Sequence, residues 1–395
     1  MKRLTAFWLS ACFLCTIPVQ AQSFIPERDS SDISLFEYVT KIPKRNNVFN
    51  LDLEMHASFN TFFIGHKLDE AAFRFNHIKI EATGEVNDRL FYWYRQNLNQ
   101  GNESMDLENL PESIEYAMIG YRLNDKFTIT LGKQDAAWGG FEYDLDPYAI
   151  YEYSDMIENM SNFMTGLNIG YDINAHQQLN LQILDSRNDS FNKTYGVETE
   201  DGEQPTIESG KLPLVYTLNW NGNFNDIFKT RWSASIMNEA KDKNLYYFAF
   251  GNELNLNKFN MFLDFMYSKE GIDRKGIMTG ITGSMERHNA FDAGYFSMVT
   301  KLNYRFLPKW NAFVKGMYET ASLTKQQGDL EKGKYRTAWG YFAGVEFYPM
   351  DTNLHFFLTY VGRSYDFTAR AKALGQENYS TNRVSVGFIY QLPMF

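Results

Sequence analysis

Apolar and polar residues alternate along most of the chain, and the alternation starts abruptly at Phe49. From Phe49 to Asn60 the odd-numbered residues are Phe, Leu, Leu, Met, Ala and Phe, whereas the even-numbered residues are Asn, Asp, Glu, His, Ser and Asn. A period of two predicts an extended strand with one apolar and one polar face. Its length suits a tilted bilayer crossing, which takes about 9–11 residues.

The same alternation recurs further along the chain, between groups of turn-forming residues. The clearest further segments begin at Phe127, Leu167, Leu179, Leu214, Trp232, Phe259, Leu302, Trp310, Trp339, Leu354 and Val384. Their apolar faces are longer and richer in aromatic residues than the buried face of a soluble sheet requires. We therefore expect about sixteen membrane-crossing strands.

Short and long connections alternate between these segments. Short ones such as Asn87–Asp88 and Asn124–Asp125 are typical of tight hairpins, whereas the links 65–71, 99–112 and 135–160 are longer. An open sheet edge would leave backbone groups unpaired in the hydrocarbon layer, so the sheet must close. The pattern predicts an all-β fold, a 16-stranded antiparallel transmembrane β-barrel with short periplasmic turns and longer external loops. A barrel this wide should enclose water.

The residues before the barrel divide into two segments. Lys2 and Arg3 precede an apolar stretch that ends in Ala21, which predicts a cleaved signal peptide over residues 1–21 and export from the cytoplasm. Residues 22–47 show no sustained period and are expected to form a flexible periplasmic segment, with the barrel over 48–395. Both cysteines lie in the leader, so we expect no disulfide in the mature chain.

Charge and motifs narrow the functional classes. Acidic residues exceed basic ones by 48 to 38, and loss of the leader changes the net charge from −10 to −12. This balance argues against nucleic acid as a partner. The histidines are dispersed, and neither a phosphate-binding glycine loop nor a dinucleotide fingerprint occurs. We predict no catalytic residue, metal or cofactor. The alternatives are an outer-membrane barrel enzyme of protease or lipase type and a secreted, soluble glycan-binding β-protein.

Two stretches carry a resemblance to a known family. One runs from Phe73 through Asn87-Asp88 to Tyr94, and the other from Phe127 to Gln134, followed by a long insertion. With the leader, sixteen strands and terminal Phe395, the chain resembles the phosphate-selective porin O and P family. The resemblance implies a channel in the Gram-negative outer membrane, insertion by the barrel-assembly machinery and a homotrimer. The net acidic charge departs from the basic pore associated with phosphate-selective members.

The link 135–160 is a candidate constriction. It contains several acids and no Lys, Arg or His, and its aromatic residues would be awkward if fully exposed. General porins fold the equivalent external loop into the channel, and acids at a constriction would attract cations. An ordinary solvated external loop is the alternative. The candidate acids are Glu142, Asp144, Asp146, Glu152 and Asp155.

Opposing basic side chains would complete a transverse field. Strand parity points Arg231, Arg305, Lys315 and Arg363 toward the lumen, whereas Arg74 and Lys79 share that face only if a bulge near His77 shifts the register. The alternative is a scatter of bases paired with lumen acids such as Glu81, Glu319 and Glu346. The sequence thus predicts a porin for passive diffusion of small hydrophilic solutes or ions, with weak cation preference or little selectivity.

Overall fold

The computed structural model describes residues 33–42, 47–101, 110–145, 150–198, 207–283, 287–350 and 353–395. The predicted signal peptide lies outside the described residues. Sixteen strands pair only with antiparallel neighbours, and β1 pairs with β16 to close one barrel. The strands are β1 Asn50–Ile64, β2 Lys67–Glu85, β3 Leu90–Asn97, β4 Ile114–Arg122, β5 Phe127–Asp135, β6 Phe163–Asn174, β7 Gln177–Asp185, β8 Leu214–Phe224, β9 Phe228–Ala240, β10 Lys243–Leu256, β11 Phe259–Ile272, β12 Phe291–Leu307, β13 Trp310–Leu323, β14 Gly333–Phe347, β15 Leu354–Phe367 and β16 Tyr379–Pro393.

Short helices lie outside the strands. They are α1 Leu35–Thr40, α2 Phe141–Asp144, α3 Asp155–Glu158, α4 Phe191–Tyr195, α5 Ile277–Thr282 and α6 Ala369–Ala373. Within the described ranges, every helix is too short or too polar to cross a membrane.

Burial along the strands is inverted relative to a soluble protein. On β13, Val314 is 50% exposed while its neighbour Lys315 is 5% exposed, and on β16 the values for Val386 and Ser385 are 52% and 4%. The exposed apolar face is the one that lipid covers, whereas the polar face points into the lumen. The prediction of a 16-stranded antiparallel barrel from alternation is confirmed.

The links between strands are short at one end of the barrel and mostly long at the other, and one predicted long link is wrong. Turns such as 308–309 alternate with long external links such as 136–162. The expected link 65–71 is wrong in detail, because β1 and β2 continue to pair as far as Ile64 and Lys67, leaving a two-residue turn at 65–66.

A bulge shifts the register between β1 and β2. His56 pairs with His77 and Ala57 with Phe75, so Asn76 is the extra residue. Below and above the bulge, Lys79 pairs with Glu54 and Arg74 with Ser58, and Glu54 and Ser58 both point into the lumen. Arg74 and Lys79 therefore share the lumen face, as the conditional prediction required.

The start of the described chain is helical rather than irregular. Ser34 and Glu37 form a capping box, in which the Ser34 hydroxyl accepts from the Glu37 N–H and the Glu37 carboxylate accepts from the Ser34 N–H. Phe36 of this helix packs on the C-terminal Phe395. Residues 22–32 and 43–46 of the expected flexible segment lie outside the described residues.

Candidate constriction of the channel

The link between β5 and β6 folds into the lumen. Trp138 and Ile157 are each 1% exposed and belong to an apolar cluster that includes Tyr247 and Phe262 of the barrel wall. The indole of Trp138 lies 5.3 Å from the Tyr247 ring in an edge-on arrangement. This loop therefore rests on an unusually apolar patch of the lumen wall.

Glycines allow the close approach of loop and wall. Gly139 and Gly140 have φ values of +71° and +91°, which side chains other than glycine rarely adopt. A Cβ atom on Gly251 of β10 would lie 2.7 Å from the Cα atom of Gly140, so the wall also needs a glycine here. Beside this contact, the Asp264 carboxylate accepts from the N–H groups of Phe141 and Glu142 at 2.9 and 2.7 Å.

Glu142 anchors the loop to β13. Its carboxylate accepts from Lys315 Nζ at 2.5 Å and from the Ser154 N–H and hydroxyl at 2.9 and 2.5 Å. Both side chains of the ion pair are almost fully buried, at 0% for Glu142 and 3% for Lys315. Lys315 also donates to the Glu152 carbonyl oxygen at 2.7 Å, so one ammonium group joins both sides of the folded loop.

Asp155 forms a second anchor, at the start of α3. Its carboxylate pairs with Arg363 at 2.7 Å and with Arg336. Glu319 of β13 accepts from the N–H groups of Asp155 and Met156, each at 3.1 Å, and also pairs with Arg363 at 2.9 Å. Two carboxylates and two guanidinium groups thus hold the first turn of this helix against the wall.

The other two candidate acids that the structure describes are paired at other heights. Asp144 pairs with Arg231 at 2.7 Å, and Arg231 lies near the short-turn end of β9. Glu152 pairs with Arg383 of β16 at 3.2 Å, near the external end. Asp146 lies outside the described residues. The four described candidate acids are therefore spread along the barrel axis and paired with lumen bases, instead of forming a ring of free carboxylates.

Three of the predicted bases lie away from the loop. Lys79 pairs with Glu115 at 2.8 Å on the wall of β2 to β4. Arg74 pairs with Glu70 at the external end of β2, and both side chains are 47% exposed. Arg305 lies near the short-turn end of β12, where it donates to the Pro308 carbonyl oxygen. The alternation along each strand predicted that these residues face the lumen, but it did not indicate their positions along the barrel axis.

Tyr151 lines one cavity of the lumen and contacts a residue that lines a second. The external cavity, of about 500 Å³, is lined by Tyr151 and Phe357, among others. The cavity at the short-turn end, of about 340 Å³, is lined by Glu346 and His355, among others. The Tyr151 hydroxyl donates to Glu346 at 2.8 Å, and its ring stacks on Phe313 at 5.1 Å. An aromatic contact and a hydrogen bond therefore hold Tyr151 of the loop against the barrel wall.

Burial alters proton affinities in the loop. Burial raises the pKa of Asp144, although the Arg231 guanidinium beside it acts in the opposite direction. Partial burial, followed by repulsion from Glu152 and Asp155, raises the pKa of Glu158. Glu158 is exposed, faces the external cavity and has no ion pair among the described residues, so its charge is accessible to ions.

Several residues of the constriction were not singled out from the sequence. Arg336, Arg383 and Asp264 carry loop contacts, yet their positions show only alternation. Parity would have placed Arg383 on the lumen side, because Val384 and Val386 point outward. No group of three or more His, Asp or Glu side chains in the described ranges is arranged to hold a metal ion.

A closed barrel of sixteen strands, apolar outside and polar inside, with an external loop folded into its lumen, is the architecture of a porin. The sequence profile of the family described as phosphate-selective porin O and P matches residues 49–392, and the chain belongs to that family. It is an outer-membrane porin. No curated protein sequence matches the chain.

Solved outer-membrane proteins share this fold at low sequence identity. OmpT of Vibrio cholerae in a trimer form is 8% identical, with a TM-score of 0.52 over 87% of this chain and 100% of that chain. An anion-selective porin from Comamonas acidovorans is 8% identical, with a TM-score of 0.52 over 87% and 99%. Salmonella typhi OmpF in complex with daunomycin is 13% identical, with a TM-score of 0.55 over 89% and 99%. At these identities the likeness concerns the fold.

Proposed function

We propose that this porin is a size-limited channel for passive diffusion of small hydrophilic solutes, with the loop 135–160 as its constriction. The observation that carries the proposal is the inward fold of the loop, anchored by the Glu142–Lys315 pair and by Asp155. Buried charged groups are costly unless they are paired, so these matched pairs favour a loop that belongs in the lumen.

Selectivity follows from the same pairs. Four candidate acids are each joined to a lumen base, at Lys315, Arg231, Arg383 and Arg363. A neutralised constriction focuses little field of either sign. We therefore propose little selectivity, with a weak cation preference from Glu158 at the external cavity. The family description names phosphate selectivity, and the Comamonas porin is described as anion-selective. The charges of this constriction do not favour anions in that way.

Export, assembly and activity complete the proposal. Residues 1–21 direct export and are removed, residues 22–47 stay in the periplasm, and the barrel is inserted by the barrel-assembly machinery. A homotrimer is consistent with the trimer form of the V. cholerae protein of the same fold. We propose that the molecule acts as a channel and not as an enzyme.

Swelling of proteoliposomes in sugars of increasing size tests the proposal. We expect entry of monosaccharides and progressively slower entry of tri- and tetrasaccharides, because the loop narrows the path. Equal rates for all sizes would contradict a loop-built constriction. Absence of swelling with any sugar or amino acid would contradict diffusion of small hydrophilic solutes.

A further inference from the structure

We propose that helix α1 is a membrane-interface anchor, whose exposed apolar face lies among the phospholipid headgroups of the leaflet at the short-turn end of the barrel. The partner is a lipid surface with anionic headgroups. This role concerns a segment outside the channel and does not depend on which solute passes through it.

An apolar stripe runs along the free side of the helix. Leu35, Tyr38 and Val39 recur at helical spacing and are 42%, 67% and 70% exposed, and Ile42, just beyond the end of the helix, is 56% exposed. At about 100° per residue the three helical residues lie on one side of the helix. Phe36 points elsewhere, toward the barrel. A contiguous exposed apolar stripe of this kind is typical of a surface that contacts a membrane or a protein.

The helix is fixed beside the lipid-facing wall. The Phe36 N–H donates to the Met394 carbonyl oxygen at 3.0 Å, and the ring centroids of Phe36 and Phe395 are 4.9 Å apart. Phe395 in turn contacts Phe49 at 5.6 Å. Phe49 has the same parity as Leu51 on β1, on the outward face. The helix is thus attached, through Phe36, beside the surface that the bilayer covers.

Charge on the segment suits phospholipid headgroups. Lys41 ends the helix, its ammonium lying 4.2 Å from the Tyr38 ring centroid. In the sequence Lys44 and Arg45 follow, outside the described residues, so the segment from Ser34 to Leu51 has three bases and one acid, Glu37. Aromatic and aliphatic residues on one side with nearby bases are the composition of an interfacial helix. Basic residues near an anionic surface strengthen such binding.

A nitroxide scan tests the anchor in the full chain. Single cysteines are introduced as Val39→Cys on the stripe or Thr40→Cys, about 150° around the helix from its centre. Cys12 and Cys15 are removed or replaced by serine. Each labelled protein is reconstituted in vesicles of phosphatidylcholine and phosphatidylglycerol, and collision rates with oxygen and with a water-soluble nickel chelate are measured. Both positions are exposed, so the substitutions should leave the barrel intact; Tyr38→Cys serves as a second stripe position.

The stripe label should have a several-fold higher ratio of oxygen to nickel collisions than the Thr40→Cys label. Replacing Lys41, Lys44 and Arg45 by glutamine should reduce that difference in the anionic vesicles. Equal, high nickel access at both positions would overturn the proposal, because the stripe would then face water. Low access to both reagents with an immobilised spectrum would also overturn it, since the stripe would then be covered by a second copy of the chain.

Discussion

Replacing Lys315 by methionine should release the constriction loop. Methionine keeps the unbranched apolar stem of lysine but removes the ammonium group that lies 2.5 Å from the Glu142 carboxylate. Glu142 is fully buried, and its remaining partners are the N–H and hydroxyl groups of Ser154. The variant therefore leaves a buried carboxylate without its counter-charge in the docked state of the loop.

The magnitude follows from the cost of an orphaned buried charge. Removing one partner of a buried ion pair costs roughly 3–5 kcal/mol. Glu142 keeps its two hydrogen bonds from Ser154, so we take the lower end of the range. Since about 1.4 kcal/mol corresponds to a factor of ten, the undocked population of the loop should rise about 100-fold.

Single-channel recording in planar bilayers measures this change. Lys315→Met should show frequent excursions to a higher conductance level that is rare in the parent protein. Lys241→Gln is the matched control, because it breaks a Lys–Glu pair whose side chains are 65% and 66% exposed on the external rim. Adding Glu142→Gln to the methionine variant should suppress the excursions by removing the orphaned charge. Identical traces for Lys315→Met and the parent would refute the reasoning.

Other changes to the constriction have distinct signatures. Tyr151→Ala should raise the unitary conductance, because it removes a ring that lines the external cavity and crosses to Glu346 of the wall; an unchanged conductance would mean that ions pass elsewhere. Gly251→Val should destabilise the docked loop by about 1–3 kcal/mol through overpacking against Gly140, seen as noisier open-channel current. Arg363→Gln leaves two carboxylates without their shared guanidinium, so the reversal potential in a salt gradient should shift toward cation selectivity. Glu158 has a raised pKa, so its charge and the weak cation preference should be lost as pH falls, starting above the ordinary glutamate pKa of about 4.3; Glu158→Gln should remove that pH dependence.

Alternation along the strands predicted the fold because lipid and water impose opposite demands on neighbouring residues. The parity of Arg231, Lys315 and Arg363 placed each on the lumen face, where the structure has them. The same reasoning could not place these residues along the barrel axis, because an alternation with a period of two looks the same at every position of a strand. It also failed at the external end of β2, where polar residues continue the pairing beyond the apolar stretch.

The contacts between the loop and the barrel wall could not be predicted from the sequence. Asp155 and Glu319 are 164 positions apart, and their contact depends on how the loop lies inside the closed barrel. The acidic composition of the loop suggested a free negative constriction, but composition does not show which wall residues neutralise it. Tyr151 was one of several loop aromatics, and only the folded loop distinguishes it. Helix α1 was missed because a single turn and a half shows no sustained period.

The central claim is that the polar faces of sixteen strands enclose a continuous aqueous path narrowed by the loop 135–160. The most direct test is the current through purified, folded protein in a planar bilayer as the salt concentration is varied. We expect discrete conductance steps whose size grows in proportion to the conductivity of the bath. Folded protein that inserts but leaves the bilayer electrically silent at every salt concentration would contradict it.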